Sequence, residues 1–230
     1  MFLKDKKCLF IGKKNCTHSK KSLYHLTNLC DRVTFISSNH RAENLSDKIL
    51  KWKGDFIFSY ANYKLLSPSI LDSAKILNLN FHPGTPSFPG SGSSSWAIYK
   101  GVNEFGITVH IMNEKFDNGK ILKVYSFKID KNVSLNELLL KTESKRMSAF
   151  IKYINYLNSL NEFSIKKLYK KKSSFRWSKN LFKISDLNKM RCLKINMSTH
   201  EINKRIKAFH MRNYPVFFEI KGKKYIYSEK

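Results

Sequence analysis

Apolar residues recur at two different spacings along the first two thirds of the chain, and the spacing switches several times. Short apolar runs over Cys8 to Gly12, Arg32 to Ile36, Asp55 to Tyr60 and Ile76 to Phe81 predict four strands. Between them, Ser22 to Leu29 and Leu45 to Trp52 space their apolar side chains as a helix face does. Pro68 opens a short helix through Ala74, since proline is tolerated in a first turn. Phe105 to Met112 and Ile121 to Ile129 alternate as two more strands around Asp117-Asn118-Gly119, a turn-compatible triplet. Ser134 to Leu157 reads as one long amphipathic helix, with Ser134 as N-cap and Glu137 completing a capping box. Asn158 to roughly Ser185 shows no period and is basic. Met197 to Phe209 then reads as a helix capped by Ser198 with Glu201. Val216 to Ile220 and Lys224 to Tyr227 flank Lys221-Gly222-Lys223 as a terminal hairpin.

Strands that alternate with helices build a mostly parallel sheet with flanking helices, so the expected class is α/β, Rossmann-like. The pattern divides into a main domain over 1–190 and a tail over 191–230 made of a helix and a β-hairpin. At 230 residues the chain is long enough for one continuous core, and 42% apolar with 13% aromatic residues excludes a disordered chain. No run approaches the roughly 20 apolar residues of a membrane span, and the first residues carry no signal-peptide pattern. A soluble cytoplasmic protein is the expectation.

The 43 basic residues against 17 acidic give +26, which points to an anionic partner. Only seven of the 43 are arginine, the residue preferred for bidentate phosphate and base recognition. Lysine abounds together with Asn and Ile, a composition that codon bias produces by itself. The densest run, Lys166 to Lys172, reads as a solvated face. An anionic substrate is therefore expected, and nucleic acid is not needed. The four cysteines at 8, 16, 30 and 192 have no CxxC spacing and read as reduced and structural, with no metal site.

His82 to Ser95 holds three prolines, three glycines and five serines, and closes with an apparent helix from Ser95 to Lys100. Gly12-Lys13-Lys14-Asn15 lacks the glycine spacing of a dinucleotide turn, and there is no Walker lysine motif, zinc motif or nucleophile elbow. Asn80 and His82 stand at a strand end, two residues apart and so on one side of it, with Asp117 after the next strand. Open α/β sheets bind ligands at the carboxyl ends of their strands. An amide, an imidazole and a carboxylate there suit acyl transfer to an amine, although a packed sheet end shows the same pair without chemistry. The other histidines (18, 25, 40, 110, 200 and 210) lack metal-ligand spacing, and His110 reads as a packed or partly exposed sheet residue.

The stretch LNLNFHPGTPSFPGSGSSSWAIYKG, followed by FGITVHIMNEKFDNGKIL, resembles the core of the folate-dependent formyltransferases. That family has Asn-x-His-Pro, a proline/glycine loop, a short helix, a strand and then Asp-x-Gly. DFIFSYANYKLLSPSIL resembles its folate-contacting loop, and INKRIKAFHMRNYPVFFEI the helix-to-strand element of members acting on sugar nucleotides. The resemblance implies that Asn80 and His82 polarise a formyl carbonyl and hold its oxyanion. Asp117 would orient His82 and assist proton removal from the attacking amine. The implied donor is 10-formyltetrahydrofolate, with no metal. Its pterin would lie in the loop of Ala61, Asn62, Tyr63, Lys64, Leu65 and Leu66, held largely by backbone groups, and against Lys115.

Three branches of the family differ in acceptor. The branch formylating initiator methionyl-tRNA adds a C-terminal barrel, for which the residues after Met190 are too few. The purine branch, acting on glycinamide ribonucleotide, carries a Gly-Ser-rich phosphate loop where this chain has Gly12 to Cys16. The sugar-nucleotide branch resembles it in NFHPGTPSFPGSG, in FRWSK at Phe175 to Lys179, and in the tail. The implied acceptor is a dTDP-linked 4-amino-4,6-dideoxyhexose (the glucose form or an epimer) made for surface polysaccharide. Lys13, Lys14 and Arg205 are candidates for its diphosphate, and Trp96, Phe209 or Tyr214 for its thymine. Trp96 on the short helix reads more readily as core, and Lys13 as merely exposed. A purine-pathway enzyme and a catalytically silent, basic nucleic-acid-binding domain remain the alternatives. The tail hairpin is an exposed edge, through which a homodimer is expected.

Overall fold

Four of the apolar runs become β1 (Lys7–Gly12), β2 (Arg32–Ser37), β3 (Gly54–Ser59) and β4 (Ala74–His82) in the computed structural model, which describes residues 1–40 and 44–228. They pair in parallel in the order β2-β1-β3-β4, and β5 (Glu104–Ile111) and β6 (Ile121–Lys128) continue the sheet antiparallel. The central strands β1 and β3 are covered on both faces, which is why they are apolar throughout rather than alternating. The α/β class is as expected.

Helices α1 (Thr17–Thr27) and α5 (Leu135–Ser159) cover one face. There Phe150 meets Phe10, Phe58, Tyr60 and Phe81, ring centroids 4.9–6.0 Å apart. Short helices α2 (Lys48–Lys51) and α3 (Pro68–Leu71) set Ile49, Ile70 and Leu71 against Leu9, Ile11 and Ile57 on the other face. The Ser134–Glu137 capping box of α5 is formed in both directions. Cys8 and Cys30 are reduced and buried, their sulfurs 3.4 Å apart. Among the described residues, no helix is long and apolar enough to cross a membrane.

Several boundaries differ from expectation, each for a readable reason. Helix α1 starts five residues before Ser22, because its first turn is entirely polar and shows no apolar period. Helix α4 (Ser93–Lys100) begins on three buried serines after Gly92, whose φ of 73° places it in the left-handed region. The stretch expected to be irregular holds α6 (Glu162–Lys170) and α7 (Ile184–Arg191). Each buries a single side chain, Ile165 and Leu187, so neither leaves a periodic signal. The tail contains α8 (Thr199–Phe209) and a sheet of three strands, because β7 (Cys192–Leu193) pairs in parallel with β8 (Phe217–Ile220) beside β9 (Lys223–Ile226).

A second core joins α4 to this tail. Trp96 stacks on Phe182 at 4.5 Å and meets Phe209 edge-on at 5.1 Å. Phe209 is 1% exposed and Trp96 7%. Neither ring has a free face for a base, which corrects their selection as thymine platforms.

Candidate active site

The parallel strands end on one side of the sheet, and the loops after β3 and β4 meet there with the turn between β5 and β6. Asn80 lies third from the end of β4 and His82 is its last residue, and the register sets Asn80 opposite His110 of β5. Asp117 lies in the turn with φ of 41°, a left-handed conformation that costs a non-glycine residue energy and is held only by strong local contacts. One such contact is steric. At Gly119 a Cβ would sit 1.7 Å from the Ile111 carbonyl oxygen, so only glycine lets the turn fold back this closely.

The Asp117 carboxylate is the hub. Its Oδ2 accepts from the Gly90 backbone N–H at 2.8 Å and lies 3.1 Å from His82 Nδ1. Its Oδ1 lies 3.4 Å from both Asn80 Nδ2 and His110 Nε2. Burial disfavours ionisation of this carboxyl. The His82 charge and hydrogen bonds from His110 and His82 outweigh burial and hold it well below the usual carboxylate range.

The partners fix what each group offers. His110 Nδ1 is 2.9 Å from the Ile111 carbonyl, which only accepts, so that nitrogen carries the proton. Its Nε2 lies 3.1 Å from the Asn80 amide nitrogen and 3.4 Å from Asp117 Oδ1. His82 has acceptors on both sides, Asp117 and, 3.0 Å from Nε2, the Phe88 carbonyl. Both ring nitrogens therefore face oxygen acceptors. Asn80, His110 and Asp117 line a cleft whose walls are Leu66, Leu71 and Met112 and whose mouth carries Lys64 and Lys115. His82 is 2% exposed and is not part of that lining.

The loop after β3 is braced from within. Asn62 accepts from the Lys64 N–H at 2.9 Å and donates to the Lys64 carbonyl at 2.7 Å. Ser38 Oγ accepts from the Tyr63 N–H at 3.3 Å. Lys13 lies 4.7 Å above the Tyr63 ring. Ala61 and Leu66 are buried beneath the loop.

Strand ends and spacing announced Asn80, His82 and Asp117, and the fold brings them together. Two residues of the cluster were not assigned from sequence. His110 joins because of the β4–β5 register, which a single alternating strand does not reveal. Trp177, inside the quoted FRWSK segment, stands edge-on to His82 and His110, ring centroids 5.7 and 5.1 Å away. The remaining acceptor candidates lie elsewhere. Arg205 is tied to Glu201 at 2.6 Å, and Tyr214 sits beneath Arg191 at 4.9 Å. No hydrogen bond, ion pair or ring contact among the described residues joins Arg205, Tyr214, Trp96 or Phe209 to the Asp117 cluster. A larger cavity of about 550 Å³ runs along α6 past Lys75 and Tyr169, without histidine and with Glu162 as its one carboxylate. The described residues contain no group of three or more His, Cys, Asp or Glu arranged to hold a metal.

The sequence model of a family described as formyl transferase matches residues 7–154. The bifunctional polymyxin resistance protein ArnA of Wigglesworthia glossinidia brevipalpis is 30% identical over 179 residues, which is 73% of this chain and 27% of that one. A methionyl-tRNA formyltransferase of Mycoplasmopsis pulmonis is 26% identical over 182 residues, 74% of this chain and 63% of that one. The chain thus spans less than two thirds of these curated relatives. Among solved structures, an N-formyltransferase from Helicobacter canadensis, in complex with folinic acid and dTDP-3-aminofucose, superposes with a TM-score of 0.66. It covers 97% of this chain and 86% of its own at 20% identity, a likeness of fold.

Proposed function

The chain belongs to the formyl transferase family, and we propose that it moves a formyl group from 10-formyltetrahydrofolate onto the amine of a nucleotide-linked amino sugar. The observation that carries this reading is the Asp117 carboxylate, buried, ionised and ringed by Asn80, His82 and His110 at the end of a cleft walled by Leu66, Leu71 and Met112. The cleft's lining suits the donor: its apolar walls, Leu66, Leu71 and Met112, match a pterin face. The family assignment and the solved relative's two ligands support a folate and a dTDP-amino sugar as the pair of substrates. We take the sugar to be dTDP-4-amino-4,6-dideoxyglucose or an epimer, made for surface polysaccharide.

The loop after β1 supports a sugar nucleotide over glycinamide ribonucleotide. The Lys13 N–H goes to Ser19 Oγ at 3.0 Å and the Lys14 N–H to Asn39 at 2.9 Å, so those backbone donors are spent within the protein.

In the reaction the neutral amine attacks the formyl carbon, and its lone pair becomes the new C–N bond while the carbonyl π pair moves to oxygen. Collapse expels N10 of the folate, which takes up the proton that the amine gives up. The products are a formamide and tetrahydrofolate. Asn80 and His82 stabilise the developing oxyanion as hydrogen-bond donors, and Asp117 moves the proton. For His82 to reach that oxygen directly, its bond to the Phe88 carbonyl must open.

The test is an assay with 10-formyltetrahydrofolate and dTDP-4-amino-4,6-dideoxyglucose, before and after dialysis against a chelator. Turnover is expected, unchanged by the chelator. Asn80→Ala, His82→Ala and Asp117→Asn are each expected to lose roughly a hundred- to a thousandfold, the usual cost of one oxyanion or acid–base group. Near-normal turnover in folded His82→Ala overturns the assignment.

A further inference from the structure

We propose that residues 173–183 form the acceptor wall of the site, with Trp177 as the platform for the amino sugar and Arg176 and Lys179 as its diphosphate ligands. The inference rests on the formyl-transfer reading above and adds where the second substrate binds.

This segment has no regular secondary structure, yet it is strapped across the chemistry at four points. The Ser178 N–H donates to the Pro86 carbonyl at 2.8 Å, and the Phe182 N–H to that of Pro89 at 3.0 Å. The Ser91 N–H returns a bond to the Phe182 carbonyl at 2.7 Å. Trp177 Nε1–H donates to the Gly119 carbonyl at 2.6 Å, two residues past Asp117. The strap thus holds both the loop after β4 and the turn that carries the carboxylate.

Donor and acceptor must meet at that carboxylate from different sides, because the amine attacks a carbon already occupied by the folate. The donor cleft is lined by the loops after β3 and β5, and no strap residue takes part in it. What borders the two imidazoles from outside that cleft is the Trp177 indole, standing perpendicular to both at 75° and 88°. Trp177 is also half-buried where Trp52 and Trp96 are core residues, 5% and 7% exposed. A large, rigid, partly open ring beside catalytic groups suits the apolar face of a deoxyhexose, which loses little water when stacked.

The charges agree. A sugar nucleotide brings a diphosphate, and of the three cations chosen from sequence Arg205 is paired with Glu201 and Lys13 lies over Tyr63, while Lys14 stays exposed on the loop after β1. Arg146 is buried against Glu143. Arg176 and Lys179 are exposed, within two residues of Trp177, and in no ion pair with a described residue. With consecutive Cα atoms about 3.8 Å apart, both long side chains reach a phosphate lying alongside the indole.

The test uses the full chain, dTDP and dTDP-4-amino-4,6-dideoxyglucose. Titration with the sugar nucleotide is expected to change tryptophan emission in the wild type, and the change is expected to vanish in Trp177→Phe. In the surface variant Arg176→Ala with Lys179→Ala, the acceptor KM and the dTDP dissociation constant are expected to rise roughly ten- to a hundredfold, while the KM for 10-formyltetrahydrofolate stays within about twofold. An unchanged acceptor KM in the double variant, a rise in the donor KM instead, or an emission change that persists in Trp177→Phe overturns the inference. A wild-type chain that formylates no amino-sugar nucleotide overturns the functional reading itself, a result seen before any variant is made.

Discussion

Asp117 shows how much a single residue's conformation can carry. Its left-handed φ of 41° aims both oxygens inward, and the Gly119 turn beneath it leaves no room for a side chain. Gly119→Ala is therefore expected to cost turnover by at least tenfold through displacement of Asp117, with a lowered Tm, measured by steady-state kinetics and calorimetry. The carboxyl also predicts a pH dependence. Held below its ordinary range in the fold, it binds a proton less readily than in the unfolded chain. The resulting stabilisation is complete above the unfolded value of about 4 and is lost as pH falls below it. The Tm gap between wild type and Asp117→Asn is expected to be widest above pH ~5 and to narrow steadily as pH falls below ~4, closing only at the depressed folded value well below the usual carboxylate range. A gap independent of pH would show that the ionised carboxylate contributes nothing. Asn80, His82 and Asp117 stood out in the sequence as a strand-end pair and a turn carboxylate, and the family resemblance supplied the roles expected of them. His110 did not, since its partner is chosen by the register Asn80↔His110, a property of two strands together.

At the scale of elements, the long and strongly patterned pieces were legible and the short ones were not. Helix α5 carries nine buried residues and a complete capping box, so its sequence reads unambiguously. Helices α6 and α7 bury one residue each and gain their order from tertiary contact, as Leu187 does against Gly92. The tail was read as an appendage of helix and hairpin. Helix α8 instead seats Phe209 and Ala208 in one core with Trp96 and Leu138 of the main domain. Phe209→Ala is expected to lower stability by about 3–5 kcal/mol, the usual cost of emptying a buried aromatic site. Deleting Ser198 onward exposes the Trp96 face, and the shortened chain is expected to bind hydrophobic dye and to lose its cooperative thermal transition. A truncated chain with the parent's Tm would show that this second core is dispensable.

At the scale of the molecule, the +26 charge governs how two copies meet. The homodimer expected through the tail requires the outer edge of β9, where Tyr225 is 53% and Ile226 67% exposed. Apolar side chains on an unpaired edge favour association, but the same edge bears Lys221, Lys223 and Lys224. Antiparallel pairing of two such edges sets lysines opposite lysines, on molecules that already repel. Salt decides between these effects, because the screening length falls from about 10 Å at 0.1 M to about 3 Å at 1 M while apolar burial is not weakened. Sedimentation equilibrium is therefore expected to give one chain's mass at low ionic strength and to move toward two chains as sodium chloride is raised to half molar. Ile226→Lys is expected to hold the monomer at every salt concentration. Association that weakens with added salt would mean that opposite charges join the copies, and β9 would not be the interface.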